Sequence, residues 1–322
     1  IQNTVTARQQ RDAGKLFADS TGDAGVGYLA KADHEYEVRQ LMGSTNLFSV
    51  LDVSKEDQVL KCECKDKSAL AMQYEQGEYA QPFPRCPWAL DLSTKPFPGR
   101  GKFTPDGTDN LDSFARQWYW ESGFDKDQVT DIEQIRDHNL RAIFGAWDAL
   151  KNVDQLYPNH RLGWVAYIAG KRESRRLLGD IVLDGLDFLT QREFPDIAFP
   201  CSWHIDLHFP EKKYQQGFEG NEFISDYTRG EDYRYGKVYW APYRCLYSRN
   251  VPNLFMAGRD ISVSKTGLGA VRVMRTCGMM GEIVGKAASI CLQQQTTPRG
   301  VYEEHLDNLH QRMQQPGPHR VS

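Results

Sequence analysis

The stretch from Asn253 to Cys291 decides the fold of this chain and reads NLFMAGRDISVSKTGLGAVRVMRTCGMMGEIVGKAASIC. Its short apolar run, Leu254–Ala257, ends at Gly258, and a loop then leads into a long segment rich in small residues. This order predicts a buried strand that passes through a glycine turn into a helix. A glycine turn lets the backbone approach a ligand closely, and the start of a helix offers free N–H groups. A buried strand–helix unit without a ligand has the same pattern.

The predicted helix carries three glycines at helical spacing, namely Gly278, Gly281 and Gly285. Because residues three and four apart share a face of a helix, these glycines form one stripe. We therefore expect the helix to lie close against a sheet along this stripe.

The sequence around this stretch contains four short motifs, which are Pro242-Tyr243-Arg244-Cys245, Asn253-Leu254, Ala257-Gly258-Arg259 and Gly269-Ala270-Val271-Arg272-Val273-Met274. Together they resemble the C-terminal flavin-binding segment of FAD-dependent oxidoreductases in the glutathione-reductase-like superfamily. The chain is most similar to a bacterial family of FAD-dependent oxidoreductases, some labelled as xanthan lyases, which is related to the flavoprotein subunit of heterodisulfide reductase. The resemblance implies that FAD is the cofactor. It concerns flavin-binding segments and gives no support to a lyase activity.

A further motif, Asp19-Ser20-Thr21-Gly22-Asp23, resembles the Asp-Ala-Thr-Gly-Asp sequence of the same family, in which a strand ends beside FAD. A plain strand followed by an Asp/Gly turn would have the same composition. The resemblance also implies that the helix, expected to begin near Leu268, directs its N–H groups towards the flavin. The cofactor-binding residues that it implies are Thr21, Gly22, Asp23, Gly258, Arg259, Asp260, Gly267, Leu268, Gly269 and Arg272.

The Gly-x-Gly-x-x-Gly loop that holds the FAD pyrophosphate in this superfamily does not occur in the sequence. In family members that loop precedes the Thr-Gly-Asp motif, and its glycines let a helix start approach the phosphates. We therefore expect the chain to be the C-terminal portion of a longer protein. On this hypothesis the preceding segment is a partner in FAD binding, and the chain alone is inactive. The compartment is not readable from the sequence, so cytoplasm and periplasm both stay open.

The composition of the 322-residue chain is that of an ordinary globular protein. A net charge of −4 gives no reason to expect nucleic acid or an anionic membrane as a partner. The chain has no apolar run long enough to span a bilayer. Its seven cysteines include no Cys-x-x-Cys pair, so local cysteine spacing does not indicate an iron–sulfur cluster.

The segment Cys201–His208 carries the predicted catalytic residues. On a strand, His204, Asp206 and His208 would share one face, because side chains alternate with a period of two. The family has a similar segment, which implies that one histidine takes a hydroxyl proton while a hydride passes to the flavin. Asp206 would orient that histidine. A metal site and a structural histidine pair are the alternatives, but no further ligand is evident and we assign no metal.

Three residues are predicted to contact the substrate, namely Arg172, Tyr243 and Arg244. Arg172 belongs to Gly170–Asp180, an arginine-rich segment with a counterpart in the family, although a charged surface turn would have the same composition. Aromatic residues precede it at Trp118–Glu121. Aromatic faces beside carboxylates suit a sugar, so a small polar substrate is expected, with a saccharide as the favoured class. A core role for Trp118 and Trp120 is the alternative.

These observations predict an α/β fold with a Rossmann-like FAD-binding domain, incomplete at its N-terminus, and an inserted α+β substrate domain. The FAD-binding domain would comprise residues 1–40 and 240–293, the substrate domain 41–239, and a helix and tail 294–322. A loop rich in proline and glycine is expected over 62–110. The predicted strands are Ile1–Ala7, Lys15–Asp19, Asn46–Val53 and Trp164–Ala169, and the predicted helices are Val26–Ala32, Asp127–Lys151 and Asp184–Arg192.

The expected function is therefore FAD-dependent oxidation of a small polar molecule. Two alternatives come from other classes. A glycan-binding domain would use the aromatic residues of 83–120 and 226–243 without any redox chemistry. An electron-transfer subunit of the heterodisulfide-reductase type would need partner proteins that carry iron–sulfur clusters.

Overall fold

A computed structural model describes residues 13–54, 80–103 and 110–315 of the chain, with the side chain of Phe103 left out. The predicted strand Ile1–Ala7 lies outside the described residues. The described strands, in chain order, are β1 Phe17–Asp19, β2 His34–Glu35, β3 Ser44–Thr45, β4 Phe48–Asp52, β5 Glu121–Ser122, β6 His160–Val165, β7 Arg176–Leu177, β8 Ile197–Cys201, β9 His208–Pro210, β10 Ser225–Tyr227, β11 Tyr239–Pro242 and β12 Leu254–Met256. The described α-helices are α1 Gly25–Leu29, α2 Leu111–Phe114, α3 Ile132–Asp148, α4 Gly185–Thr190, α5 Lys265–Val271, α6 Met274–Gln294, α7 Pro298–Glu304 and α8 Leu306–Gln314.

The chain divides into two compact units, each built from separate stretches of sequence. The terminal unit comprises the described parts of Ile1–Glu37, Glu173–Leu207 and Thr228–Ser322. The central unit comprises the described parts of Val38–Arg172 together with His208–Tyr227. Segments 173–207 and 228–239, which the sequence-based division gives to the substrate domain, thus cluster with the chain termini. The assignment of FAD binding to one domain and substrate binding to the other stays a prediction.

The terminal unit contains the strand–turn–helix order that the sequence predicts. The buried strand β12 lies parallel to β1, with Phe17 opposite Leu254 and Asp19 opposite Met256. The helix expected near Leu268 begins earlier, at Lys265, because the Ser264 side chain caps it by accepting a hydrogen bond from the Gly267 N–H. It ends at Val271, and α6 begins separately at Met274.

The glycine stripe of α6 does not face a sheet, so that expectation is wrong. Gly278, Gly281 and Gly285 are exposed, and no described atom lies within 4 Å of a Cβ built on any of them. The helix packs on β8, α7 and α8 through its opposite face. The buried apolar residues of that face are Met280, Ile283, Val284, Ala287, Ile290 and Cys291. Branched and longer side chains bury more apolar area than glycine, and this decides which face turns inward.

The core of the central unit forms on α3, which lies within the predicted helix Asp127–Lys151. Its buried residues Ile143 and Trp147 pack with aromatic side chains from the segments before it. These are Phe48, Phe97, Phe114 and Trp120. Phe97 belongs to the predicted loop 62–110. The described parts of that loop, 80–103 and residue 110, contain only a short 3-10 turn, Gly101–Phe103, as regular structure.

The strand predicted at Trp164–Ala169 lies earlier in the chain. β6 covers His160–Val165 and pairs antiparallel with β4, with Val165 opposite Phe48. Tyr167 and Ile168 are exposed instead of buried. Pairing with β4 therefore fixes the strand, whereas the apolar run alone does not.

Candidate functional site

The parallel pair β1–β12 brings two predicted cofactor-binding turns together. Parallel strands end at the same edge, so Thr21–Asp23 and Gly258–Asp260 both follow the carboxyl ends of the pair. Asp19 closes the first turn because its carboxylate accepts hydrogen bonds from the Thr21 N–H at 3.0 Å and hydroxyl at 2.7 Å. Gly258 has a φ of +143°, a backbone conformation that residues other than glycine rarely adopt.

Arg259 links the two turns through a polar cluster. Its guanidinium donates to Asp23 Oδ1 at 2.7 Å and to Ser174 Oγ at 2.7 Å. The Ser174 hydroxyl in turn donates to Asp23 Oδ1 at 2.7 Å. Charge-assisted hydrogen bonds of this kind are strong, so the cluster holds the ends of both strands in one arrangement. Gly22 lies against Arg259 with a φ of +73°.

Asp260 is fully buried, and neither of its carboxyl oxygens receives a hydrogen bond from a donor of the described residues. Burial, and then the negative charge of Asp19, raises the pKa of Asp260 to about 8. At neutral pH a carboxyl group with this pKa is mostly protonated, and Asp19 is an acceptor for its proton among the described residues. The Ser262 hydroxyl oxygen is also buried and has no hydrogen-bond partner among the described residues.

The residues after this turn pack tightly. A Cβ on Gly267 would lie 2.5 Å from the Leu183 carbonyl oxygen, and one on Gly269 would lie 2.9 Å from the Asp206 nitrogen. Leu268 between them is fully buried. These two glycines are therefore required for the close approach of neighbouring backbone, a reason that needs no ligand.

Arg272 and Asp206 form an ion pair in the same unit. Arg272 Nη2 donates to Asp206 Oδ2 at 2.7 Å and to the Asp206 carbonyl at 2.8 Å. The other carboxylate oxygen lies 3.7 Å from His204 Nε2, which is too far for a hydrogen bond but close enough for an electrostatic interaction. The predicted orienting carboxylate thus lies beside His204 and is itself held by Arg272.

His208 has a different partner, which belongs to the central unit. Its Nδ1 lies 2.8 Å from Glu121 Oε2, and the Ser225 hydroxyl donates to the same oxygen at 2.8 Å. Arg172 Nη1 lies 3.1 Å from that oxygen. Burial raises the pKa of Glu121, but Arg172 and His208 outweigh it, so that the pKa lies below its usual value.

The expectation that His204, Asp206 and His208 share one face of a strand is wrong. β8 ends at Cys201 and β9 begins at His208, so the first two residues belong to no strand. Their backbone bonds go to loops instead: the Ile205 N–H donates to the Tyr233 carbonyl and the Asp206 N–H to the Gly269 carbonyl. His204 and Asp206 belong to the terminal unit and His208 to the central unit.

The three predicted substrate contacts all have protein partners. Arg172 donates to Thr45 Oγ1 at 2.8 Å and to the Trp118 carbonyl at 2.8 Å. Arg244 forms a two-point ion pair with the buried Asp196, at 2.9 and 2.8 Å. Tyr243 is fully buried, and its hydroxyl donates to the Pro298 carbonyl at 2.8 Å. These contacts give each of the three residues a role in folding that needs no substrate.

The aromatic residues just before Glu121 include both a core residue and a surface residue. Trp120 is a core residue with 1% exposure, whereas Trp118 is 58% exposed. Tyr119 stacks on the rings of His208 and Tyr227, at centroid distances of 6.3 and 5.6 Å. His208 therefore has aromatic rings beside it and a buried carboxylate behind it.

Glu121 and Ser262 have environments that sequence reasoning missed. The signal for Glu121 lies in strand register, because β5 pairs with β3 and places Glu121 opposite Thr45, a partner of Arg172. No local pattern marks Ser262. Within the described parts of the chain, no group of three or more His, Cys, Asp or Glu side chains could hold a metal ion.

Two cavities have linings that each lie within a single unit. One of about 260 Å³ in the central unit is lined by residues that include Arg85, Cys86 and Asp148. The other, of about 400 Å³ in the terminal unit, is lined in part by Tyr28 and Arg249. Neither lining includes a predicted catalytic residue. The described helices include none that is long and apolar enough to span a membrane.

Comparison of the sequence with known protein families identifies the family to which the chain belongs. A family model described as FAD dependent oxidoreductase matches residues 1–313. The chain therefore belongs to the FAD-dependent oxidoreductase family: it is an enzyme and its cofactor is FAD. The family indicates a Rossmann-like FAD-binding fold, and the mixture of helices with small sheets described above is consistent with it. No curated protein and no solved structure matches the chain.

The described residues fit a polar cofactor at the end of β12. Buried polar atoms normally have hydrogen-bond partners, yet no donor of the described residues reaches either Asp260 oxygen, and the Ser262 hydroxyl has no partner among these residues. A hydroxyl-rich group such as the ribityl chain of FAD has hydrogen-bond donors and acceptors of this kind. The glycine at 258 also keeps this turn free of a side chain.

Proposed function

We propose that the enzyme oxidises a carbon bearing a hydroxyl or amine group in a small polar substrate, by preference a carbohydrate. The substrate loses a proton from its heteroatom and a hydride from the adjacent carbon, and a carbon–heteroatom double bond forms. Bound FAD supplies the acceptor of the hydride and so takes up both electrons. The protein then has to bind the cofactor, orient the substrate and accept the proton.

The proposed cofactor contacts are grouped at the ends of β1 and β12. Thr21–Asp23 and Gly258–Asp260 form the two turns, joined by the Arg259–Asp23 ion pair of 2.7 Å. In this proposal Gly267–Gly269 and Arg272 hold the neighbouring backbone in place. The buried acid Asp260 is the group that donates or accepts a hydrogen bond towards the cofactor.

The observation that carries the proposal is the placement of two histidines of one motif beside carboxylates. His204 lies beside Asp206, and His208 lies beside Glu121. A base that takes a hydroxyl proton must be an imidazole or a similar group and needs a defined orientation, which a neighbouring carboxylate can supply. We propose that one of these two histidines is the base.

The preference for a carbohydrate depends on aromatic surface. Trp118 is largely exposed, and Tyr119 and Tyr227 form a stack beside His208. Ring faces pack on the C–H surfaces of sugars, while carboxylates and arginines take their hydroxyl groups. The direct substrate role expected for Arg172 and Arg244 becomes, in this proposal, a role in positioning acidic side chains.

The test is anaerobic reduction of the FAD-loaded protein by a panel of monosaccharides, sugar alcohols and amines. Loss of the visible absorption of oxidised flavin reports the reaction, with the same panel applied to His204→Gln and His208→Gln. We expect at least one carbohydrate to reduce the flavin, and one of the two variants to be slower by about 10² to 10⁴-fold. A flavin that no member of the panel reduces would contradict the proposal, and saccharide binding without reduction would favour a glycan-binding protein.

A further inference from the structure

We infer that Glu121 is a positioning residue that fixes the His208 imidazole with a proton on Nδ1, and that His208 is the base of the reaction. This inference rests on the proposed function for the role of the base. The assignment of the proton rests only on the contacts within the central unit.

The two histidine–carboxylate pairs differ in geometry. The nitrogen and oxygen of His204 and Asp206 are 3.7 Å apart, beyond hydrogen-bond distance, and the other oxygen of Asp206 is bound by Arg272. In contrast, His208 Nδ1 and Glu121 Oε2 are 2.8 Å apart. Only the second pair therefore holds its imidazole through a hydrogen bond.

The charge of Glu121 determines where the proton of that hydrogen bond lies. Arg172 at 3.1 Å and the hydroxyl of Ser225 at 2.8 Å stabilise the ionised form. An ionised carboxylate can only accept, so the hydrogen between the two residues belongs to His208 Nδ1. The neutral imidazole consequently has its lone pair on Nε2, which is the nitrogen that takes up a proton.

The neighbouring aromatic rings restrict movement of the His208 ring but leave a small part of it exposed to solvent. Tyr119 stacks on His208 with an interplanar angle of 20°, and Tyr227 lies at a centroid distance of 6.3 Å from it. His208 retains 8% exposure, whereas Glu121 has none. The buried carboxylate therefore acts, in this proposal, on the imidazole and not directly on a substrate. In the oxidation, the heteroatom proton of the substrate passes to Nε2, and Glu121 stabilises the imidazolium that results.

Strand register explains why this carboxylate is at this place. Glu121 is opposite Thr45 in the β3–β5 pair, and Arg172 bonds to both side chains. The next residue, Ser122, has its side chain on the opposite face of the pair, where it bonds to Asn139 of α3. The pairing of β5 with β3 therefore fixes the backbone of Glu121, and Arg172 together with Ser225 of β10 fixes its carboxylate.

The test is nitrogen-15 NMR of the imidazole groups in the FAD-loaded protein, with histidine labelled and His208 assigned by comparison with His208→Gln. We expect the wild-type spectrum to show one fixed neutral tautomer with the proton on Nδ1. In Glu121→Gln we expect the pKa of His208 to fall by about 1 unit, because the opposite charge is lost. The pH profile of flavin reduction should shift by the same amount, whereas Glu133→Gln, at an exposed glutamate of the same unit, should change neither.

The outcomes separate this inference from the proposed function. A wild-type His208 that exchanges between tautomers overturns the assignment of Glu121, even where Glu121→Gln fails to fold. A fixed tautomer together with an unshifted pH profile in Glu121→Gln would overturn the role of His208 as the base. Absence of flavin reduction by every substrate contradicts the proposed function and leaves the wild-type spectrum to decide where the proton lies.

Discussion

Asp260 of the terminal unit and Glu121 of the central unit are both fully buried carboxyl groups, but their pKa values shift in opposite directions. Asp260 has the Asp19 carboxylate as a neighbour and no donor among the described residues, and its pKa rises to about 8. Glu121 has Arg172, His208 and Ser225 around it, and its pKa falls despite burial. Burial disfavours the charge of both groups, so the partners decide the outcome.

The comparison suggests two different uses of a buried acid. A neutral Asp260 can donate a hydrogen bond, which an ionised carboxylate cannot do. An ionised Glu121 can stabilise a positive charge on His208.

Replacing Asp260 with Asn should remove a strong dependence of stability on pH. The folded pKa of about 8 lies above the unfolded value of about 3.9, so the folded state holds the proton more tightly. The stabilisation is therefore complete below about pH 4 and is lost as the pH rises to about 8, at about 1.4 kcal/mol per pH unit. Urea denaturation of wild type and Asp260→Asn across this range measures the difference. Parallel profiles would show that Asp260 is ionised in the folded protein.

Replacing Arg172 with Met should leave Glu121 buried without its cation. We expect a loss of about 3–5 kcal/mol in the free energy of unfolding at neutral pH, the usual result of breaking a buried ion pair from one side. The double variant Arg172→Met/Glu121→Gln should recover much of this loss, because it removes the stranded charge. An equal loss in both variants would mean that Arg172 acts through packing and its hydrogen bonds to Thr45 and Trp118, and not through the charge of Glu121.

Replacing Ser225 with Ala removes one hydroxyl donor from Glu121 but leaves Arg172 and His208 in place. A hydrogen bond to a charged group contributes about 1.5–3 kcal/mol, so the loss should be smaller than that of Arg172→Met. Glu121 should also titrate at a higher pH in this variant. An unchanged unfolding free energy would show that water replaces the hydroxyl without cost.

Replacing Arg85 with Met provides the matched exposed ion pair. Arg85 Nε lies 3.2 Å from Asp148 Oδ1, but the arginine side chain is 67% exposed. Asp148 keeps Asn152 and the Cys86 N–H as donors. We expect a change of less than about 1 kcal/mol, since solvent and salt screen an exposed pair. A loss as large as that of Arg172→Met would mean that burial is not what distinguishes the two pairs.

Local patterns in the sequence were sufficient for the elements that neighbouring residues determine. The apolar run Leu254–Ala257 gives the strand β12, and the helix α4 lies within the predicted Asp184–Arg192 because Asp184 and Asp187 form a capping box. The stripe of apolar residues over Asp127–Lys151 gives α3. In each case the deciding interactions lie within a few residues of one another.

Contacts between distant segments could not be predicted in this way. Glu121 and His208 are separated by 87 positions, and nothing in either local pattern indicates the other. Asp206 is closer in sequence and was therefore the expected partner. The inward face of α6 likewise depends on β8, α7 and α8, so the regular spacing of Gly278, Gly281 and Gly285 indicated the wrong face.

The most direct test of this account is carbon-13 NMR of the side-chain carboxyl groups, with Asp260 and Glu121 assigned through Asp260→Asn and Glu121→Gln. We expect Asp260 to be protonated at neutral pH and to titrate near pH 8, the value to which burial and Asp19 raise its pKa. Glu121 should remain ionised to a pH below its usual value. An Asp260 that is ionised at neutral pH, or a Glu121 that is protonated there, would contradict the account.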